Sequence, residues 1–514
     1  MTLVWLILIP LIGGAASWQS GRWSSAAPRW LALVSLLTGL GLSLWLWLTQ
    51  DFSFTGAGFA TTSDAAPQWT MEYRANWIPA IGASFHLGLD GLSILMIVLA
   101  YLLGVMAVAS SWRDTDADPG FFHLNLLWNL VGVIGVFLAL DLLLFFFFWE
   151  MMLVPMYFLI ALRGYDPPGG KSRQQAAVKF VIYTQASGLL LLVSIIGLVF
   201  VNSQSTGLLS FDYHDLLGTP MGSSVEWLLM LGFFIAFAVK MPMVPLHGWL
   251  PDAHANAPTS GAADVAGLLL KTAAYGLLRF GIPLFPNASL EIAPFAMWMG
   301  VIGVVYGAVV AFSQHDIKRL IAYTGISHMG FVLIGIYAGT EQALIGVVVQ
   351  MIAHGLSAAA LFILCGEIHE RYGTRDMRQL GGLSTQLPNL PRLLMFFALA
   401  TLGLPGLGNF VGEFLILSGA FSVAPLIAIT ASVGLVLSVL YSLIMVQRTL
   451  HGAVSVSTTN PSSTPTDLSW RELTIVVSLL ILLIGLGLYP QPVIDTASAS
   501  MHAFDALSAS GVAR

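Results

Sequence analysis

The stretch LGFFIAFAVKMPMVPLHGWLPDAH, residues 231–254, decides the fold class. It is an apolar run that reaches a lysine, Lys240, and is followed at once by Pro242 and Pro245. A charge at the bilayer centre costs from about 2.5 kcal/mol on insertion scales to over 10 kcal/mol in simulations, so such a lysine lines a polar route. Prolines break helices, and a break at membrane depth is tolerated where the backbone faces protein or a water-filled cavity. The stretch therefore predicts a membrane helix interrupted beside a buried charge.

Three more ionisable residues sit in comparable surroundings: Glu150, Lys271 and Glu413, the last preceded by Pro405, Gly406 and Gly408. Charge movement across a membrane is the function these four suggest. Composition agrees, with 57% hydrophobic and 9% charged residues in 514, against roughly 25% charged in soluble proteins. The net charge of −6 carries no basic stripe, which disfavours nucleic-acid binding. The lone cysteine, Cys365, lies in an apolar span and excludes a disulfide framework, a four-cysteine iron-sulfur site and a zinc ribbon within the chain.

Apolar stretches of about 20 residues predict an all-α polytopic membrane protein with about fourteen transmembrane helices. The first, residues 2–18, lacks the basic region of a signal peptide and reads as a retained helix. The expected organisation is residues 1–110 (spans 1–3), 121–282 (spans 4–8), 293–447 (spans 9–13), and 448–514 for a linker, the last span and a tail. Spans 4–8 hold Glu150, a broken helix 7 with Lys240, and Lys271; spans 9–13 hold His328, His354 and a broken helix 12 with Glu413. Two five-helix repeats of this kind must be inverted, because an odd number of spans flips the second unit. With the N-terminus outside, inner loops collect Arg22, Arg29, Arg163, Lys171, Lys318, Arg319, Arg371 and Arg448 among others, while outer segments hold Arg74, Arg514 and, at a helix end, Arg279. That bias predicts both termini outside.

Asp264, Lys271 and Tyr275 share one helix face, as do Gln350, His354 and Ser357, and Thr324 and His328. Lipid penalises such stripes, so they turn toward protein or water. Hydroxyls and amides there read as glue between helices, whereas histidines also titrate in the physiological range. Unit charges about 7 Å apart at an effective dielectric near 20 interact by roughly 2.4 kcal/mol. Carrying one charge against 100 mV costs about 2.3 kcal/mol. A single adjustable ion pair is barely sufficient, so a coupled series is expected: Glu150, Lys240, Lys271, His328, His354 and Glu413. His247 in HGWLPDAH is a candidate for proton uptake, with Asp264, Tyr275 and Lys318 in supporting places; no cysteine or close His/carboxylate cluster favours a metal.

At these residues a family resemblance becomes visible. FFFFWEMMLVPMYFLIALRGY (145–165), LGFFIAFAVKMPMVPLHGWLPDAHANAPTSG (231–261), GLLLKTAAYGLLRF (267–280), HDIKRLIAYTGISHMGFVLIGI (315–336), QMIAHGLSAAALFILCG (350–366) and LPGLGNFVGEF (404–414) closely resemble the antiporter-like membrane subunits of respiratory complex I. The resemblance covers nearly the whole chain and implies a proton-pumping subunit of the bacterial inner membrane, moving protons from cytoplasm to periplasm. Energy would come from NADH oxidation and quinone reduction in other subunits of NADH:quinone oxidoreductase. It implies that Glu150 and Lys240 form the coupled pair, that Lys271 passes protons to His328 and His354, and that Glu413 is the outer exit. A glutamate at 413 and the absence of a long lateral helix favour the M-type branch, with L-type and N-type subunits as neighbours. FMN, iron-sulfur clusters and quinone are implied for partner subunits, none for this chain. Mrp-type cation/proton antiporters and membrane subunits of hydrogenase-like complexes share this machinery, and a non-pumping scaffold is a further alternative.

Overall fold

The computed structural model describes residues 1–52, 69–112, 118–166, 170–259, 261, 265–453 and 466–511. Candidate Asp264 and most of the expected linker 453–468 lie outside them. Among the described residues twelve helices are long and apolar enough to cross a membrane, from Thr2–Ser20 to Trp470–Leu488. The helices Ile317–Ala338 and Glu341–Tyr372, which carry His328 and His354, are 94% buried over their apolar windows and form the bundle centre. Thr2–Ser20, Ala27–Thr49 and Trp470–Leu488 are only 33% buried over theirs and lie at the rim. Helix starts are fixed locally: Asp90 accepts from the Ser93 amide, Asp141 from the Leu143 and Leu144 amides, and Ser172 with Gln175 and Ser469 with Glu472 close capping boxes. Helices Pro286–Ser313 and Ile317–Ala338 approach backbone to backbone, since a Cβ on Gly330 would stand 2.6 Å from the Gly300 carbonyl oxygen.

Three interruptions place Lys240, Lys271 and Glu413. The helix Ser223–Lys240 stops at Lys240, and after a turn the chain resumes as the short helix Leu250–Asn256. The stretch expected as span 8 alternates π-helix Val265–Leu269, α-helix Leu270–Gly276, π-helix Leu277–Gly281 and a last turn Ile282–Leu284. Such π-turns widen a helix locally and often mark functional sites. The stretch expected as span 12 is divided into Leu390–Thr401 and Gly408–Val423. Gly403 (φ 77°) and Gly406 (φ 95°) occupy left-handed backbone in that gap. The gap lies against the last apolar helix, where a Cβ on Gly487 would stand 2.2 Å from the Gly406 carbonyl oxygen.

The helical expectation needs two corrections. Within residues 1–110, expected to hold spans 1–3, an antiparallel hairpin precedes the third long helix, β1 (Met71–Ile78) and β2 (Ala83–Leu89), turned at Gly82 (φ 75°). The cap at Asp90 delays the helix to Gly91–Ser110. The expected tail carries a helix, Gln491–Gly511, docked by a Trp47 indole N–H donating to Thr496 Oγ1 at 2.9 Å.

Candidate functional site

Lys240 is the last residue of its helix, where unpaired carbonyl ends favour a cation. Its Nζ lies 3.6 Å from the centre of the Trp149 ring and donates to the Trp149 carbonyl at 3.3 Å. Glu150 is the next residue, so one backbone segment presents both groups to the lysine. Trp149, Glu150, Lys240, Phe180, Thr184 and Leu269 line a cavity of about 10 Å³, room for roughly one water. Glu150 and Lys240 therefore both border one small cavity whose remaining walls are mostly apolar. Gly188 on the helix Arg173–Thr206 makes room for the carboxylate, since a Cβ there would stand 1.8 Å from Glu150 Oε1.

Leu269 walls this cavity two residues ahead of Lys271. Lys271 Nζ lies 2.7 Å from His354 Nδ1, and both side chains are buried. The rings of His354 and His328 are 5.2 Å apart at 58°. His328 Nδ1 is 2.8 Å from Glu413 Oε1, and Gln350 Nε2 donates to the same oxygen at 3.1 Å. Lys271, His354, His328 and Glu413 thus lie in one row through the bundle centre, in polar contact at both ends and with packed imidazole rings between. Asn409 Nδ2 donates to Ser357 Oγ at 3.3 Å beside it.

The supporting candidates fall elsewhere. Tyr275 Oη donates to the Phe137 carbonyl at 2.9 Å, lies 3.0 Å from Ser93 Oγ and accepts from Arg279 Nε at 3.1 Å. His247 packs edge-on against Tyr306 at 4.9 Å in the turn after Lys240. Lys318 Nζ donates to the Ala257 carbonyl at 2.9 Å. In sequence, Asp90 reads equally well as an ordinary interfacial charge or a functional one, and Arg279 stands at an outer helix end. Instead Arg279 is fully buried, and its Nη2 meets Asp90 Oδ2 at 2.5 Å. Asp252 was passed over as well: it binds Arg319 at 2.9 Å, Lys179 at 2.7 Å and Lys171 at 3.0 Å. The surplus of basic residues in the loops around HGWLPDAH was the available sign.

On the hairpin side His86 is buried between two carboxylates, Asp212 at Nδ1 (2.7 Å) and Glu72 at Nε2 (2.5 Å). Burial opposes its charge, yet the two carboxylates hold its basicity above the ordinary imidazole value. Burial likewise opposes charge on Asp212, but His86 and Arg74 hold that carboxyl below its ordinary value. Glu72, His86 and His214 are the one group among the described residues whose donor atoms, within 4.8 Å of one another, are arranged as a metal could use. The imidazole nitrogens are already engaged, however, with His214 Nε2 accepting from Trp69 Nε1 at 2.8 Å. The group works as an ion-paired latch between the hairpin and the connection ahead of residue 223.

With this geometry in hand, comparison with known proteins is informative. A family model described as "NADH:quinone oxidoreductase/Mrp antiporter, TM" matches residues 139–439. The NADH-quinone oxidoreductase subunit M of Pseudomonas aeruginosa is 60% identical over 504 residues, covering 98% of this chain and 97% of the relative. Its counterpart in Escherichia coli strain K12 is 59% identical over 501 residues, covering 98% and 97%. Among solved structures, a chain of respiratory complex I from Thermus thermophilus with bound NADH superposes with a TM-score of 0.84 at 29% identity, covering 98% of this chain and 100% of that one. A chain of the Mrp complex from Dietzia sp. shares the fold, with a TM-score of 0.80 at 23% identity over 98% of this chain and 52% of that one.

Proposed function

The chain belongs to the NADH:quinone oxidoreductase/Mrp antiporter family of membrane proteins, and from that premise we propose that it is a proton-translocating membrane-arm subunit of a bacterial NADH:quinone oxidoreductase. The observation that carries the reading is the row Lys271, His354, His328, Glu413, in polar contact at its two ends (2.7 Å and 2.8 Å) and with the two imidazole rings 5.2 Å apart between them. Each member can hold or release a proton, and each faces the next. Protons are taken up from the inner side near Lys240 or Lys271, move along this line and leave outward beside Glu413. The Glu150–Lys240 pair sets when the lysine holds its proton, because moving the carboxylate across the small cavity changes the field at Nζ. Buried polar atoms along the line without a protein partner, His328 Nε2, Gln350 Oε1 and Asn409 Oδ1, suit internal water that bridges the ring gap.

Redox chemistry belongs to partner subunits in this reading, with FMN, iron-sulfur clusters and quinone held there and L-type and N-type subunits as flanking neighbours. Both termini lie outside in this reading, which the excess of Lys and Arg in the inner loops supports. The two broken helices belong to inverted repeats, residues 121–282 and 293–447. The test is NADH-driven proton uptake by inverted membrane vesicles carrying Lys240→Ala or Glu413→Gln. Uptake is expected to fall at least about tenfold, equal to roughly 1.4 kcal/mol on the transfer barrier, with the complex still assembled. Uptake at the unmutated rate in assembled variants would leave the chain a scaffold.

A further inference from the structure

We propose that Arg279, held in place by Asp90, seals the hairpin-side end of the first half of the polar line, so that a proton on Lys271 is passed sideways to His354 and not outward along its own helix. This rests on the proton-translocating reading above. Lys271 and Tyr275 are four apart in the α-helical segment Leu270–Gly276 and share a face. Beyond Tyr275 come Arg279 Nε at 3.1 Å, Asp90 on the guanidinium at 2.5 Å, and the face of the Trp69 ring 4.6 Å from the guanidinium carbon. The Trp69 indole reaches His214, and the His86 latch behind it ends at Glu72, whose side chain is 43% exposed. A polar track therefore runs from the face of Lys271 to the hairpin surface. Were it conductive, it would bypass His354, His328 and Glu413.

The chemistry of arginine blocks it. A guanidinium carries five N–H donors, has no acceptor and keeps its proton at any working pH. Arg279 Nε–H points at Tyr275 Oη, and the Tyr275 hydroxyl hydrogen points inward to the Phe137 carbonyl. A proton arriving at Tyr275 from the Lys271 side finds no lone pair on Arg279 to take it. The fixed charge adds to this barrier: a unit positive charge about 6 Å from a passing proton, at an effective dielectric near 20, lowers its occupancy there roughly 100-fold before Asp90 is counted. At the other exit, His354 Nδ1 lies 2.7 Å from Lys271 Nζ and can accept. Buried arginines that exclude protons from a pore work on the same principle.

The experiment uses the whole complex in liposomes loaded with a pH-sensitive dye. Passive proton conductance is measured after an acid pulse without NADH, then proton transport with NADH. Arg279→Gln is expected to raise passive conductance about tenfold or more, within the factor the barrier allows, while Arg279→Lys, whose ammonium is kept protonated by the buried Asp90 carboxylate as Lys271 is not, stays within about twofold of the unmutated complex. Adding Lys271→Met to Arg279→Gln should abolish the leak, because the route starts there. The paired variant Asp90→Asn/Arg279→Gln removes both charges, leaves no lone buried ion, and is expected to leak like Arg279→Gln. Conductance at the unmutated level in both Arg279→Gln and the paired variant would overturn the proposal, as would a leak that survives Lys271→Met. Failure of the underlying reading is separate: Glu413→Gln would then leave NADH-driven transport intact, whatever the passive conductance.

Discussion

Lys240 shows how a residue in an apolar run acquires a role. Trp149 gives it an aromatic face and a carbonyl, the helix end adds carbonyl dipoles, and Glu150 waits across a space about one water wide. The arrangement depends on a hydrogen atom at position 188. Gly188→Ala would bring a methyl group within 1.8 Å of Glu150 Oε1, and the carboxylate must swing away from Lys240. The expected outcome is NADH-driven pumping reduced as in Glu150→Gln, while Gly485→Ala, where nothing lies within 4 Å, changes pumping little. Equal pumping in both variants would show that the carboxylate position does not matter. Glu150, Lys240, Lys271, His328, His354 and Glu413 stand out in sequence as candidates because charge or imidazole inside an apolar helix is costly and therefore informative. Asp90 and Arg279 were not, since charges at span ends are ordinary, and only the fold shows that hairpin and helices bury them together.

At the scale of elements, the breaks at Lys240 and ahead of Glu413 were readable from Pro242, Pro245, Pro405 and Gly406. The π-turns around Lys271 were not, because nothing in GLLLKTAAYGLLRF distinguishes a widened helix from a regular one. The hairpin was missed for another reason: residues 71–76 alternate half-buried and exposed, but the partner strand is mostly buried and reads as the beginning of the next span. Its anchor is titratable. His86 is raised above its ordinary value of 6.5, so its contribution is complete below that value and is lost as pH rises through the elevated one. Asp212 is lowered from 3.8, so its contribution is present above that value and is lost as pH falls through the depressed one. Amide hydrogen exchange in β1 and β2, corrected for intrinsic rates, is therefore expected to be slowest in mildly acidic solution and to quicken toward alkaline pH. His86→Gln should remove that alkaline dependence; a profile unchanged by the substitution would exclude the latch.

Across the whole molecule, the two halves are tied on the face opposite the hairpin by Asp252, which gathers Lys171 and Lys179 from the first half and Arg319 from the second. Its cations are partly exposed, between 25% and 49%, so screening reduces what each pair contributes. Asp252→Ala is nevertheless expected to cost about 1–3 kcal/mol, because three positive charges lose a shared buried partner. It should lower the thermal midpoint of the detergent-solubilised complex, and a midpoint equal to the unmutated one would show that the clamp contributes nothing. The helical membrane architecture was readable from hydropathy; the meeting of Lys271, His354, His328 and Glu413 came from tertiary packing, since 142 positions separate the first from the last. The contact of Gly406 with Gly487 has a mechanical corollary. Backbone rests on backbone there, with no side chain to act as a cushion, so the turn beside Glu413 cannot flex alone: any motion of that hinge is borne by the rim helix Trp470–Leu488 as by a splint, and the membrane-facing edge of the protein registers what happens at its centre.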